Sequence, residues 1–323
     1  MDWKAKIFTN HTEESFNKLS LEIFYFQAKH NPVYKKYLSF LKIKVSEIKT
    51  VNEIPYLPIA FFKTHEVVCE PNNRLVTYSS SGTGGVQSKH IVHDLELYQE
   101  SFTKGFEYFY GSIKEYTILA LLPSYMERKG SSLIYMCEKL IGISQKKESG
   151  FYLNEHALLF DVLNKLESQK RKTLLIGVSF GLLDFTDRYK INLENTIVME
   201  TGGMKGRRKE IIREELHGIL GTCFKQKEIH SEYGMTELLS QAYSKKEQVF
   251  ECPPWMRVSC RDTNDPLSSN KKSGGLNIID LANVYSCSFI ATQDLGKVYE
   301  NGRFEVLGRF DSSDIRGCNL MVL

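Results

Sequence analysis

The sequence predicts an α/β fold with a small β-rich C-terminal subdomain. Short apolar runs alternate with small-residue loops and helix-period segments up to about residue 252, which is the pattern of strands and covering helices in one sheet. Past Pro253 the texture changes to short strand-like stretches, and no Ser/Gly-rich linker, repeat or low-complexity tract divides the chain. The expected organisation is therefore one body over residues 1–310, α/β to about 252 and β-rich over 253–310, followed by a tail at 311–323.

Apolar side chains at Phe16, Leu19, Ile23, Phe24 and Phe26 fall near helical spacing, so Thr12 to His30 reads as an amphipathic helix. Pro55 and Pro58 then remove donors and enforce extended backbone, giving an irregular entry segment through IPYLPIAFFKT. LVTYSSSGTGG is a strand running into a glycine-rich loop, after which Asp94 is placed to cap a helix through LELYQESFTKGF. TLLIG is a buried strand followed by a loop at Ser179 and Gly181. TIVME is another, followed by TGGMKGRRKEIIREELHGILG, whose helical part is expected to end at Gly221. KEIHSEYGMTELL repeats the strand-to-helix pattern, with Thr236 as the N-cap. In VYENGRFEVLGR, Asn301-Gly302 is a hairpin turn signal.

The 323 residues carry 42 Lys+Arg against 39 Asp+Glu, a net charge of +3, and are 42% hydrophobic and 25% charged, which excludes a disordered, collagenous or coiled-coil chain. The basic residues do not cluster, so there is no nucleic-acid footprint. MDWKAKIFTNHTEESF lacks the basic start and apolar core of a signal peptide, and TLLIGVSFGLLDF is too short to cross a bilayer, so a soluble cytoplasmic protein is expected. The 7 cysteines include no CxxC pair, which favours reduced thiols, although Cys252 and Cys260 with His217, Cys223 or His230 offer ligand types for zinc.

Chemistry concentrates in a few stretches. Tyr78 to Lys89, YSSSGTGGVQSK, combines glycines that allow close backbone approach with hydroxyls and a lysine that suit phosphate oxygens, yet it is neither a Walker A loop nor GxGxxG. GVSFG fits the GxSxG elbow after a strand, which makes Ser179 a formal nucleophile with Asp184, Asp187, His217 and His230 as partner types; a tight pocket-lining loop is the preferred reading. HSEYGMTE offers Tyr233 for stacking on a base and Glu237 for magnesium. In TQDLG, Asp294 can accept from ribose hydroxyls, and in GRFDSSDIRG, Arg309 can pair with ribose or phosphate oxygens.

SSSGTGG..SK, EYGMTE, QDLG and GRFD, in that order, resemble the adenylate-forming superfamily of acyl-CoA synthetases and luciferase-like ligases. ETGGMKGRRKE, HSEYGMTELLSQAYS and GRFDSSDIRGCN narrow the likeness to the acyl-protein synthetases (LuxE-like) of the bacterial luminescence fatty-acid reductase complex, with phenylacetate-CoA ligases as relatives. The resemblance implies the superfamily's large-domain fold and ATP- and Mg2+-dependent activation of a carboxylic acid, a fatty acid by the family's expectation. The acyl group then passes from the adenylate to a protein thiol, with a reductase as the possible accepting partner.

By position, the resemblance assigns Ser80, Ser81, Gly82, Thr83, Gly85 and Lys89 to the phosphate loop, Tyr233, Gly234 and Thr236 to the nucleotide, Glu237 to magnesium, Asp294 to ribose and Arg309 to the arginine that follows it, while Gly202 and Gly203 are candidate nucleotide-binding residues beside the acyl pocket. Gly84 replaces the usual second threonine, and Gln87-Ser88 stands where a proline precedes the lysine. Lys205 is a further candidate cation, and Ser179, Phe180 and Gly181 are expected to line the acyl pocket. Superfamily members that make CoA esters continue beyond the hinge, represented here by Asp311, into a mobile domain with a catalytic lysine. This sequence stops 12 residues later, which fits acyl-protein synthesis better than CoA ligation. Cys318, with Arg316 nearby, is the candidate acyl acceptor in the tail. Two other classes stay open: a Ser179 hydrolase or acyltransferase, and a non-catalytic nucleotide- or acyl-binding subunit of a larger complex.

Overall fold

The structure is a computed structural model that describes residues 2–69, 76–80, 86–123, 130–203, 208–209, 211–263, 265, 267–268 and 271–310. The chain opens with α1 (Trp3–Ile7) and α2 (Glu13–His30). Thr12 caps α2 by accepting from the Ser15 amide at 3.2 Å, and Phe16, Leu19, Ile23 and Phe24 are buried, as the spacing predicts. Asn31 ends α2 and caps α3 (Pro32–Phe40) by accepting from the Tyr34 amide at 3.0 Å, with proline at the first turn where no intrahelical donor is needed. The proline-rich entry segment contributes β1 (Leu57–Pro58) and α4 (Phe61–Thr64).

A two-stranded hairpin of β2 (Val76–Ser79) and β3 (Lys89–Val92) follows, in the register Tyr78↔His90 and Ser79↔Lys89. Asp94 then caps α5 (Leu95–Tyr110), accepting from the Leu97 amide at 2.9 Å. Asp94→Ala should lower stability by about 1 kcal/mol and Asp94→Asn by much less, since asparagine keeps the cap. Chemical denaturation of the two variants side by side checks this.

Among the described residues the central sheet has six strands in the order β5-β4-β6-β7-β8-β9. They are β4 (Thr117–Leu121), β5 (Gly150–Phe151), β6 (Thr173–Val178), β7 (Thr196–Thr201), β8 (His230–Tyr233) and β9 (Ala242–Ser244), all parallel to their neighbours except β9. Its helices are α6 (Ser132–Ser144), α7 (His156–Ser168), α8 (Ser179–Thr186) and α9 (Arg213–Phe224). β4 and β6 are buried along their whole length, as strands covered on both faces must be. Parallel order brings the carboxyl ends of β6, β7 and β8 to one edge, the usual location of a site in such sheets.

A second sheet, of five strands among the described residues, has the path β1-β12-β11-β10, with β13 paired to β12. Its strands are β10 (Met256–Arg261), β11 (Ser273–Asp280), β12 (Phe289–Val298) and β13 (Phe304–Arg309). The β12–β13 connection turns at Gly302, whose φ of 79° suits glycine, at the Asn301-Gly302 signal.

Three local expectations are corrected. Ser179 to Gly181 is not a loop but the first turn of α8, because the apolar side chains of this segment pack on the sheet at once: Phe180, Leu182, Leu183 and Phe185 are all buried. A Cβ at Gly181 would lie 3.0 Å from Leu153 Cδ1 and 3.2 Å from the Leu121 carbonyl, so that turn is held close to β4. The helix after β7 does not stop at Gly221 but runs to Phe224 and closes on Lys225, whose φ is 54°. Gly221 instead serves close approach, since a Cβ there would meet the Gln226 carbonyl at 2.8 Å. Finally, no helix follows β8: the chain turns through 234–241 and returns as antiparallel β9, so Thr236 caps nothing.

Candidate functional site

Tyr233 ends β8 with its side chain directed at the second sheet. Its hydroxyl donates to Asp294 Oδ2 at 2.7 Å, and its ring packs on Phe250 and Phe304, with centroids 5.8 and 5.5 Å away. Asp294 lies on β12 opposite Arg309 on β13, and this register lets Arg309 Nε donate to Asp294 Oδ1 at 3.0 Å. Both oxygens of one buried carboxylate are thus engaged, by a phenol from one sheet and a guanidinium from its own. Asp294 is 5% exposed, whereas the Arg309 side chain is 76% exposed, so the arginine faces outward from a fixed carboxylate. The charge of that carboxylate and its hydrogen bond hold the Arg309 guanidinium above its ordinary value.

Glu237 sits in the turn after β8 and is 5% exposed. Burial raises its carboxyl above the usual range, while a hydrogen bond from the Ser88 hydroxyl and the charge of Arg309 oppose the shift, with Asp294 adding to it. Tyr233, Glu237, Asp294 and Arg309 therefore share one electrostatic neighbourhood. The turn has no helix to satisfy its backbone, and side chains from elsewhere do so. Asp280 accepts from the Leu239 and Ser240 amides at 2.8 and 3.0 Å, Asn283 Nδ2 donates to the Glu237 carbonyl at 2.7 Å, and His90 Nδ1 donates to the Thr236 carbonyl at 2.8 Å. The Glu232 carboxylate folds against the place a Cβ would take at Gly234, so a larger residue there would displace it.

The ends of the glycine-rich loop are closed by Ser80 and Ser88: Ser80 N donates to the Ser88 carbonyl at 3.0 Å, and the Ser88 amide donates to Ser80 Oγ at 3.0 Å. Ser81, Gly82, Thr83 and Gly85 lie outside the described residues, as do Lys205, Asp311, Arg316 and Cys318. Lys89 begins β3 with its side chain exposed, and strand alternation turns Ser88 and His90 inward instead. Among the described residues Ser88, not Lys89, touches Glu237. Ser88, His90, Asp280 and Asn283 are site residues that motif reading does not single out; the two-residue strand period after the loop is the signal that finds the first two.

At the edges of β6 and β7, the Ser179 hydroxyl donates to the Gly202 carbonyl at 3.3 Å and is 3% exposed. The histidines weighed as its partners are engaged elsewhere, His217 with Ser231 at 3.3 Å and His230 with Tyr110 at 3.1 Å. Gly202 has a φ of 67°, which suits glycine, and a Cβ at Gly203 would meet nothing within 4 Å among the described residues. Phe180 and Gly181 are buried in α8. Thr201 donates its hydroxyl to Glu232, which is otherwise enclosed; burial and then the charge of Glu200 push the Glu232 carboxyl up to about 7, against the Thr201 hydrogen bond. On the opposite face Glu200 receives Arg213 Nε at 3.0 Å, and the Arg213 guanidinium lies 5.1 Å from the Phe250 ring. The thiols weighed for zinc lie apart: Cys223 on α9 donates to the Tyr189 carbonyl and Cys260 on β10 to the Gly296 carbonyl.

This fold is shared with adenylate-forming ligases of known structure. ATP-bound MatB from Rhodopseudomonas palustris matches with a TM-score of 0.55 and 15% identity over 72% of this chain and 47% of that one. Its apo form gives 0.53 and 15% over the same shares. 2-Hydroxyisobutyryl-CoA ligase, in an open conformation with 2-HIB-AMP and CoA, matches with a TM-score of 0.65 and 11% identity over 93% of this chain and 75% of that one. The chain thus spans about half the length of the MatB structures, and at such identities the likeness concerns the fold. No curated protein matches. The family model described as "Acyl-protein synthetase, LuxE" matches residues 5–323, and the chain belongs to that family. Among the described residues no helix is long and apolar enough to cross a membrane.

Proposed function

We propose that this protein activates a carboxylic acid, a fatty acid by the expectation of its family, by condensing it with ATP to an acyl adenylate, and then transfers the acyl group to a protein thiol. The observation that carries the reading is the convergence of Tyr233, Asp294, Arg309 and Glu237 at one edge between the two sheets. Family membership supports the same chemistry.

In the first step a substrate carboxylate oxygen attacks the α-phosphorus, the acyl–phosphate bond forms and pyrophosphate leaves. Asp294 has lone pairs free for ribose hydroxyls on a carboxylate already oriented by Tyr233 and Arg309. Tyr233, whose buried ring is packed on Phe250 and Phe304, acts through its hydroxyl on Asp294 rather than by stacking on a base, and Arg309 offers a cation for ribose or phosphate oxygens. Glu237, a buried oxygen donor beside Asp294, suits a hard cation that shares phosphate ligands, and would hold Mg2+. Such an ion supplies neutralisation of phosphoryl charge. Ser80 and Ser88 fix the mouth of the phosphate loop. In the second step a thiolate sulfur attacks the acyl carbonyl carbon and AMP leaves; Cys318 is the proposed acceptor within this chain, and a reductase the proposed onward partner.

Acid-dependent exchange of labelled pyrophosphate into ATP, over fatty and aryl acids, tests the first step. Intact mass of wild type and Cys318→Ser tests the second: a hydroxylamine-labile acyl adduct present only in wild type is the expected result. Folded protein that gives no exchange with any acid would overturn adenylation, and an adduct that persists in the variant would move the acceptor away from Cys318.

A further inference from the structure

His90 belongs to no motif, yet it is 1% exposed and stands between the two halves of the site. It is carried by β3, two residues after Ser88, so its backbone moves with the exit of the phosphate loop. Its ring reaches Thr236 and Asn283: Nδ1 lies 2.8 Å from the Thr236 carbonyl and Nε2 3.0 Å from Asn283 Oδ1. Phe62 packs on it edge to face at 5.7 Å, which leaves the ring little freedom to rotate. Asn283 in turn holds the carbonyl of Glu237 itself. Of the three side chains that support this turn, Asp280 and Asn283 come from the second sheet and its exit, and His90 alone comes from the loop strand.

We propose that His90 is a positioning residue that sets the placement of Glu237 relative to the phosphate loop, by tying β3 to the Thr236 carbonyl. This rests on the adenylation reading above. The Thr236 carbonyl and Asn283 Oδ1 can both only accept, so a neutral ring with one N–H satisfies one of them, and the tie to Thr236 is the work of the tautomer protonated on Nδ1. Asn283 Nδ2 is committed to the carbonyls of Glu237 and Cys287 at 2.7 and 3.0 Å, so its oxygen faces Nε2. Both contacts together are satisfied only by a doubly protonated ring, which burial opposes by pulling the His90 pKa down to about 4. At neutral pH the ring therefore has one N–H, and the proposal assigns it to Nδ1.

An asparagine at this position places an amide N–H where Nδ1 stands, whereas a glutamine places it one bond further out. Wild type must first show acid-dependent pyrophosphate exchange; if it does not, the adenylation reading fails and His90 is not at issue. Given exchange, His90→Ala should lower kcat about tenfold or more and raise the Mg2+ needed for half-maximal rate several-fold, with KM for the acid unchanged. His90→Asn should recover most of both, and His90→Gln should not. An Ala variant with wild-type kcat and Mg2+ dependence overturns the proposal. If the Ala variant does not fold, the Asn and Gln pair decides, and equal behaviour of those two overturns it as well.

Discussion

Glu237→Gln should abolish most activity while leaving the protein at least as stable as wild type. The carboxylate is, with Asp294, one of two buried carboxyl groups of the site and the one read here as holding Mg2+, and removing its charge should slow acid-dependent pyrophosphate exchange by roughly 100- to 1000-fold, about 3–4 kcal/mol of transition-state stabilisation. Stability is expected to move the other way. Burial already penalises the charged form of Glu237, so its carboxyl lies above the ordinary carboxylate range, and folding loses free energy as pH rises through that range. Glutamine is neutral at every pH and keeps an oxygen for the Ser88 hydroxyl. Exchange assays and urea denaturation on the same preparation separate the two effects. Activity within threefold of wild type would remove Glu237 from the charge-bearing role, and a large loss of stability would mean that the carboxylate is structural.

What the sequence makes legible is the part of the structure whose causes are local. Asp94 caps a helix because a side-chain oxygen needs only the amide three residues on, and Asn301-Gly302 turns because glycine takes a positive φ there. The order of the EYGMTE, QDLG and GRFD motifs is likewise readable, and Tyr233, Asp294 and Arg309 do meet. Other features depend on partners far along the chain. EYGMTELL has the composition of a helix start, but Asp280, Asn283 and His90 supply what its backbone lacks, so it folds as a turn. Lys89 carries the charge that a motif reader looks for, while the pairing of Ser79 with Lys89 turns it outward and sends Ser88 and His90 in. The GVSFG segment follows a strand and opens a helix as a nucleophile elbow does, but its serine donates a hydrogen bond to the Gly202 carbonyl, and the histidines weighed for it are held by Ser231 and Tyr110.

Glu232 separates stability from pH in a second way, and the effect should be largest where most assays are run. Its carboxyl is shifted from 4.5 to about 7, first by burial and then by the charge of Glu200 on the neighbouring strand, with only the Thr201 hydroxyl favouring the ionised form. The folded state therefore binds a proton that the unfolded chain has released. Across the window from 4.5 to about 7 the wild type should lose stability as pH rises, and above it the loss is complete. A shift of this size corresponds to roughly 3 kcal/mol. Glu232→Gln removes the titration but keeps an acceptor for Thr201, so the variant should be more stable than wild type near pH 8 by about that amount, with the difference vanishing towards pH 4.5. Asp280 and Glu237 are also buried carboxyls with raised values, but they are common to both proteins and cancel in the difference. Urea midpoints measured in parallel at several pH values decide the matter: curves that stay parallel from acid to alkaline pH would show that Glu232 is ionised in the folded state. In that case the short contact with Thr201 would join an ionised carboxylate to a hydroxyl donor, and a negative charge would persist at the edge where β7 and β8 end beside Gly234.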